Sequence, residues 1–462
     1  MIINADKFHD ECAVAGIYGN NEASKLIYLC LYAMQHRGQQ GSGIATIYND
    51  IIKCEKHKGL VADIFTKDML DNLSGKIAIG HNRYPTDGVF LHSNLQPITA
   101  ELPIGECALV YNGNLVNAFK IREQLRKEGA IFSTKTDSET IMHLLARQVL
   151  QEDVITALIN VMKQITGAYS MLFMYKDTLI GMRDPNGIRP LVLGKMNDSY
   201  VLVSESVALD LIDATFVREI EPGEIVIINN DGLKSIKPMQ DRVNYTACVF
   251  EHVYFARPDS FMFNQSVYEV RKNFGKMLAK EHPVDADFVI PVPDSGISST
   301  IGYSMESQIP FELGIIRNHY VGRTFIEPSQ SIRDFGVKIK LNPIKHTIEG
   351  KRLIVIDDSI VRGTTSKKII SLLRNAGAKE IHMRISSPPT TNPCYYGIDT
   401  PSAKELISHN HSIEEIRQFI GADTLAYLSL EGMQQVLYDK NKFCYACFTG
   451  KYPIDPNDLI KG

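Results

Sequence analysis

Short runs of alternating apolar residues, broken by Gly and Asn turns, recur through the first half of the chain. They include Gly75-Lys-Ile-Ala-Ile-Gly80, Cys107-Ala-Leu-Val-Tyr111, Tyr169-Ser-Met-Leu-Phe-Met-Tyr175, Ser199-Tyr-Val-Leu-Val-Ser204 and Gly223-Glu-Ile-Val-Ile-Ile-Asn229. Period and length predict half-buried antiparallel strands. Apolar residues at helical spacing predict helices over 23–36, 118–129, 136–150 and 154–165. The mixture implies an α+β domain of stacked sheets covered by helices.

After a turn-rich stretch at 229–244 the pattern changes. Asp287-Phe-Val-Ile-Pro-Val292 leads into a helical segment from Ser295, and Phe311-Glu-Leu-Gly-Ile-Ile316 follows it. Residues 352–356, 367–374 and 380–385 read as a βαβ unit. Strands alternating with helices predict a parallel-sheet α/β domain. Ser412-Ile-Glu-Glu415 supplies a capping box for a helical tail.

Composition narrows the setting. The 49 basic and 53 acidic residues of this 462-residue chain give a formal net charge of −4, without a basic run to track a nucleic-acid backbone. No apolar stretch approaches the roughly 18–20 residues that cross a bilayer, and residues 1–11 have neither a basic nor an apolar leader region. A cytoplasmic protein is expected, with no nucleic-acid or membrane partner. Its eight cysteines read as reduced thiols, metal ligands or a nucleophile rather than disulfides.

The richest chemistry lies in Arg352-Leu-Ile-Val-Ile-Asp357-Asp358-Ser-Ile-Val-Arg362-Gly363-Thr364-Thr365-Ser366. An apolar strand runs into two acids, then into a small-residue loop that opens a helix over 366–375. Backbone N–H groups of Arg362, Gly363, Thr364 and Thr365 would favour a phosphate at that helix start. Asp357 and Asp358 could take ribose hydroxyls or a divalent cation. This stretch resembles the phosphoribosylpyrophosphate (PRPP) motif of type I phosphoribosyltransferases. Pro291-Val-Pro-Asp294-Ser295-Gly296-Ile-Ser298 also follows a strand and opens a helix, so its amides could approach pyrophosphate while the Ser295 hydroxyl joins a Mg²⁺ shell. The polar segment 317–330, with Arg323, and the basic residues up to Lys340 could close over a phosphorylated sugar. With the Asp-Asp motif, 318–330 resembles the glutamine PRPP amidotransferase family.

The first half carries a matching set: Glu11-Cys12-Ala-Val-Ala-Gly16, His36-Arg-Gly38-Gln-Gln-Gly-Ser-Gly43, Gly80-His-Asn-Arg83-Tyr-Pro-Thr86-Asp-Gly88, Tyr111-Asn112-Gly113-Asn114 and Thr136-Asp137-Ser-Glu139. These resemble the class II glutaminase domain of N-terminal-nucleophile amidotransferases. The resemblance implies that removal of a 1–11 propeptide exposes Cys12, whose α-amino group, with a pKa of roughly 8, acts as general base. Asn112 and Gly113 would form the oxyanion hole. Arg83 would hold the glutamine α-carboxylate and Asp137 its α-ammonium, with Thr86 lining the pocket. Ala13, Pro85 and Tyr111 depart from the common pattern without removing a reacting group. The segments 184–191 and 204–208 also match the family and read as packing between sheets, with a role at the junction of the halves open.

Cys444-Tyr-Ala-Cys447, with Cys248 and Cys394 far off in sequence, leaves zinc, an iron–sulfur cluster or packing thiols open from spacing alone. The resemblance implies a [4Fe–4S] cluster on these four, in the branch made with a propeptide.

Taken whole, the resemblance implies an αββα sandwich of the N-terminal-nucleophile type over 12–232, joined to an α/β type I phosphoribosyltransferase domain over 245–462. The implied reaction turns glutamine, PRPP and water into 5-phosphoribosylamine, glutamate and pyrophosphate, with one Mg²⁺ per PRPP site. An ammonia channel, purine nucleotide inhibitors and a homotetramer are implied as well. A sugar-phosphate aminating amidotransferase would share the first half but not the Asp357-Asp358 motif. A non-catalytic regulator would be expected to lack Cys12, Arg83 or Asp137.

Overall fold

The computed structural model describes residues 9–10, 12–84, 92–318 and 341–456. Two antiparallel sheets face each other in the first half. One has seven strands in the order Thr215–Glu219, Val192–Met196, Ser199–Val203, Ala13–Tyr18, Ile77–Arg83, Gly41–Tyr48 and Ile51–Lys58. The other has six, in the order Gly232–Ile236, Ile225–Asn229, Thr178–Arg183, Gly167–Tyr175, Gly105–Leu115 and Ile98–Leu102. Its edge strand Gly232–Ile236 lies inside the 229–244 stretch that the sequence marks as turn-rich.

Val14, Ile79, Val110, Leu172, Leu202 and Val226 fill the space between the sheets. Residues of opposite parity, such as Ala13, Ala15 and Ile17, pack with Ile27 and Leu31 of the helix Ala23–Ala33. Helices Asp137–Gln148 and Val154–Gln164 cover the outer face of the second sheet. This layering corrects one expectation: the inner strands are buried on both faces, and Gly167–Tyr175 is buried up to its last residue. Helices on both outer faces leave these strands no side for water. The helices start where capping residues place them, Thr136 accepting from Glu139 N and Asp153 from Ile155 N and Thr156 N.

In the second half Phe288–Pro291, Arg352–Asp357, Glu380–Ile385 and Thr424–Tyr427 form a sheet, in that order and parallel throughout. The Ser412 capping box opens the helix Ile413–Ile420. Residues 311–316, expected as one strand, divide. Phe311 makes a single parallel bridge to Val289, and Ile315–Arg317 pairs antiparallel with Leu341–Pro343. Phe311, Leu313 and Ile316 are exposed there, as suits an edge with ladder bonds on one side only.

The two halves share a core. Val116, Ala168 and Ile188 of the first pack with Val249, Phe250 and Tyr396 of the second. Backbone bonds continue the seam, Thr246 N donating to Asn186 O at 2.7 Å and Cys248 N to Ile188 O at 3.2 Å. Among the described residues no helix is long and apolar enough to cross a membrane.

Helices Val267–Glu281 and Ile297–Ser307 meet backbone to backbone. A Cβ on Gly275 would stand 1.8 Å from the Ser299 carbonyl oxygen, and one on Gly302 1.8 Å from that of Lys272. Gly302→Ala is therefore expected to push the helices apart at a cost of about 1–3 kcal/mol and to lower the thermal unfolding temperature. An unchanged unfolding temperature would show that the pair has room to spare.

Candidate functional site

Cys12 lies at the start of the strand Ala13–Tyr18, 8% exposed, with φ at +75°. It opens on a cavity of about 140 Å³ that Arg83, Tyr111, Gly113 and Asp137 also line. Three separate elements bring them there. Arg83 ends the strand Ile77–Arg83, Tyr111 and Gly113 belong to Gly105–Leu115, and Asp137 opens the helix Asp137–Gln148.

Asn112 is fully buried, and neither its amide oxygen nor its nitrogen has a hydrogen-bond partner among the described residues. A buried amide left unpaired costs free energy that a ligand can return. Gly113 has φ +154°, and a Cβ there would lie 2.0 Å from the Ala168 carbonyl oxygen. No other residue allows the strand to run so close. The Arg83 guanidinium is steadied by donating from Nη1 to Asn94 O at 3.0 Å.

The carboxyl of Asp137 turns inward, accepting from Leu115 N at 2.8 Å and from the Tyr111 hydroxyl at 3.2 Å. Burial pushes it up to about 6, with those two bonds opposing. Tyr111, a departure from the family pattern, thus has a place: its hydroxyl holds the residue expected to meet the glutamine α-ammonium. Its backbone is fixed by Gln96, whose Oε1 accepts from Tyr111 N at 2.6 Å.

The second site forms where two parallel strands end side by side, Pro291 pairing with Ile356. Asp357 and Asp358 are both 1% exposed. Ser295 Oγ donates to Asp357 Oδ1 at 3.5 Å, which brings the two loops together. Oxygen donors in this setting suit a hard divalent cation. The following helix is Thr364–Asn375, beginning earlier than the expected 366, after Gly363 at φ +77°. Arg362 reaches Glu405 Oε1 at 3.0 Å, and Arg317 pairs with Asp294 at 2.6 Å.

Cys248, Cys394, Cys444 and Cys447 line one pocket with Phe250, Tyr396 and Tyr452. Parallel pairing sets Cys248 beside Cys444, and Tyr396 N donates to Cys394 Sγ at 3.3 Å. Burial pushes the Cys444 thiol up to about 12 and those of Cys248 and Cys447 well above their usual value. Among the described residues no group of three or more ligand side chains is close enough to hold a single metal ion.

Thr86, Pro85 and Arg323 lie outside the described residues, as do most of the 1–11 segment and the 319–340 segment. Sequence reading gave no role to Gln96, to the Tyr111 hydroxyl or to the bond from Asn114 Nδ2 to Tyr395 O at 2.9 Å, which ties the two halves. Nor did it find Glu251, whose carboxylate meets Arg37 across the junction. Such pairs leave no local pattern.

A family model for a glutamine amidotransferase domain matches residues 81–211. The chain is 50% identical over 456 residues to amidophosphoribosyltransferase 2, chloroplastic, of Arabidopsis thaliana, covering 98% of this chain and 81% of that one. It is 46% identical to the amidophosphoribosyltransferase of Bacillus subtilis, over 98% of this chain and 96% of that one. Among solved structures it resembles one described as the allosteric regulatory enzyme of purine biosynthesis, with a TM-score of 0.92 at 47% identity, covering 96% of each chain. A glutamine PRPP amidotransferase from B. subtilis complexed with ADP and GMP matches with a TM-score of 0.91 at 47% identity, over 96% of this chain and 98% of that one.

Proposed function

The chain belongs to the amidophosphoribosyltransferase family, and from that premise we propose how its residues divide the reaction. It is a glutamine-dependent phosphoribosyltransferase that converts glutamine, PRPP and water to 5-phosphoribosylamine, glutamate and pyrophosphate, the first step of purine biosynthesis. The observation that carries the glutaminase reading is the fully buried Asn112 amide, without a hydrogen-bond partner among the described residues and next in the chain to Gly113, which lines the Cys12 cavity.

Cys12 Sγ attacks the glutamine side-chain carbonyl, and the oxyanion is met by Asn112 Nδ2 and Gly113 N–H. With residues 1–11 attached, the Cys12 nitrogen is an amide. Removing them frees an amine that takes the thiol proton and delivers it to the departing ammonia. Water then hydrolyses the thioester to release glutamate. Arg83 holds the substrate α-carboxylate and ionised Asp137 the α-ammonium, with Thr86 lining the pocket.

In the second half the amides of Arg362, Gly363, Thr364 and Thr365 take the 5-phosphate, and Arg323 closes on the pyrophosphate. Asp357 and Asp358 take the ribose hydroxyls and, with Ser295, the shell of one Mg²⁺. When bound, Mg²⁺ neutralises charge on the leaving pyrophosphate. The four cysteines around one apolar pocket would hold a [4Fe–4S] cluster with a structural or oxygen-sensing part, the reaction transferring no electron. Eight cysteines, read as thiols or cluster ligands rather than disulfides, support a reducing compartment such as the cytoplasm. The same reading includes a homotetramer and inhibition by purine nucleotides, the latter supported by the B. subtilis relative complexed with ADP and GMP.

Oxygen-free preparations given glutamine, PRPP and Mg²⁺ are expected to release glutamate and pyrophosphate one for one. Cys12→Ala should make product only with added ammonia. Pyrophosphate released from PRPP and glutamine by the Cys12→Ala protein at the parent rate would remove Cys12 from the chemistry.

The Asp137 carboxyl is raised to about 6, so it gains a proton as pH falls through that value and can no longer pair with an α-ammonium. The KM for glutamine is expected to climb below about pH 6. Tyr111→Phe, which takes away a donor to the carboxylate, should move that climb to higher pH. A KM that stays flat from pH 5 to 8 in the parent would contradict this role.

A further inference from the structure

The two halves meet around four charged side chains that water does not reach. Arg37, Arg189 and Glu205 come from the first half and Glu251 from the second, and each side chain is 0% exposed. Glu251 accepts from Arg37 Nη1 at 3.0 Å, Arg37 Nη2 at 2.7 Å and Arg189 Nη2 at 2.9 Å. Glu205 accepts from Arg37 Nη1, from Ser260 Oγ at 2.8 Å and from Arg257 N at 3.0 Å, and its other contact is His36 Nε2 at 2.7 Å. Within this group the first half supplies two cations and one anion. Glu251 makes it neutral, and a buried guanidinium left without its partner is strongly disfavoured.

Arg37 also reaches the glutamine site, Nε donating to the Cys12 carbonyl oxygen at 3.4 Å. A guanidinium is a rigid plane, so pinning both Nη atoms on one carboxylate fixes the direction of the Nε–H. The turn Glu251–Phe255 is itself held, Arg271 donating to the carbonyls of Glu251, His252 and Ala256. Rigid support runs from the second half to the peptide of the nucleophile.

We propose that Glu251 is a positioning residue for glutamine hydrolysis: supplied by the phosphoribosyltransferase half, it aims Arg37 at the Cys12 carbonyl and so sets the attitude of the Cys12 thiol and amine. The proposal rests on Cys12 being the nucleophile. Glu251 touches neither substrate; its effect passes through Arg37.

The test uses full enzyme whose N-terminal sequence begins at Cys12, made where necessary by placing the initiator Met directly before it. Glutamine-dependent kcat and KM, and the rate with PRPP and ammonia, are measured for the parent, E251Q, R37Q and the double variant. E251Q is expected to lower the glutamine-dependent kcat about ten- to a hundredfold, with glutamine KM and the ammonia-dependent rate unchanged. In the R37Q background E251Q should cost nothing further. Equal loss of both rates, a raised KM with kcat intact, unchanged kinetics, or additive losses in the double variant would each overturn the proposal. A parent that uses ammonia but not glutamine would instead sink the nucleophile reading.

Discussion

Four charges out of water govern how this chain holds together. Two guanidinium groups and two carboxylates, three from one half and one from the other, neutralise each other at the junction. Removing Glu251 while the site stays closed to water would leave the two guanidinium groups of this set short of one of its carboxylates, at a cost of several kcal/mol. An apolar junction could be as stable, but it would impose no direction. The planar forks here fix orientation as well as contact, and the continuous core around Val116, Ile188 and Phe250 closes over them.

Both sites exploit strand ends. A strand that stops in the interior delivers its next residues to one point, with backbone groups that need partners. Cys12 precedes one such strand, Asn112 and Gly113 lie near the end of another, and Asp357 and Asp358 close a third. The Asn112 amide, unpaired among the described residues, and the raised Asp137 carboxyl are costs that a bound ligand can return.

Much of this was legible in the chain. The Asp-Asp and Gly-Thr-Thr run predicted a strand, a loop and a helix, and they are present with the helix starting at Thr364. The capping box at Ser412 marked the helix start at Ile413. What periodicity missed was covering: it reads one face of a strand at a time, and the helices that dry the second face are distant in sequence. It also read 311–316 as continuous because apolar residues at an exposed edge resemble those in a core. Family resemblance marked Tyr111 as a departure, but only the fold shows its hydroxyl on Asp137. Glu251 stands 214 residues from Arg37, and no local pattern links them.

The central claim is that ammonia freed at Cys12 is consumed in the other half of the same molecule. The most direct test supplies glutamine labelled with ¹⁵N in its amide, PRPP and Mg²⁺, in the presence of excess unlabelled ammonium, and reads the isotope in the phosphoribosylamine trapped as it forms. Nitrogen passed within the molecule gives product carrying nearly all ¹⁵N. Product whose label is diluted to that of the surrounding ammonium would contradict the account, leaving two activities that merely share a chain.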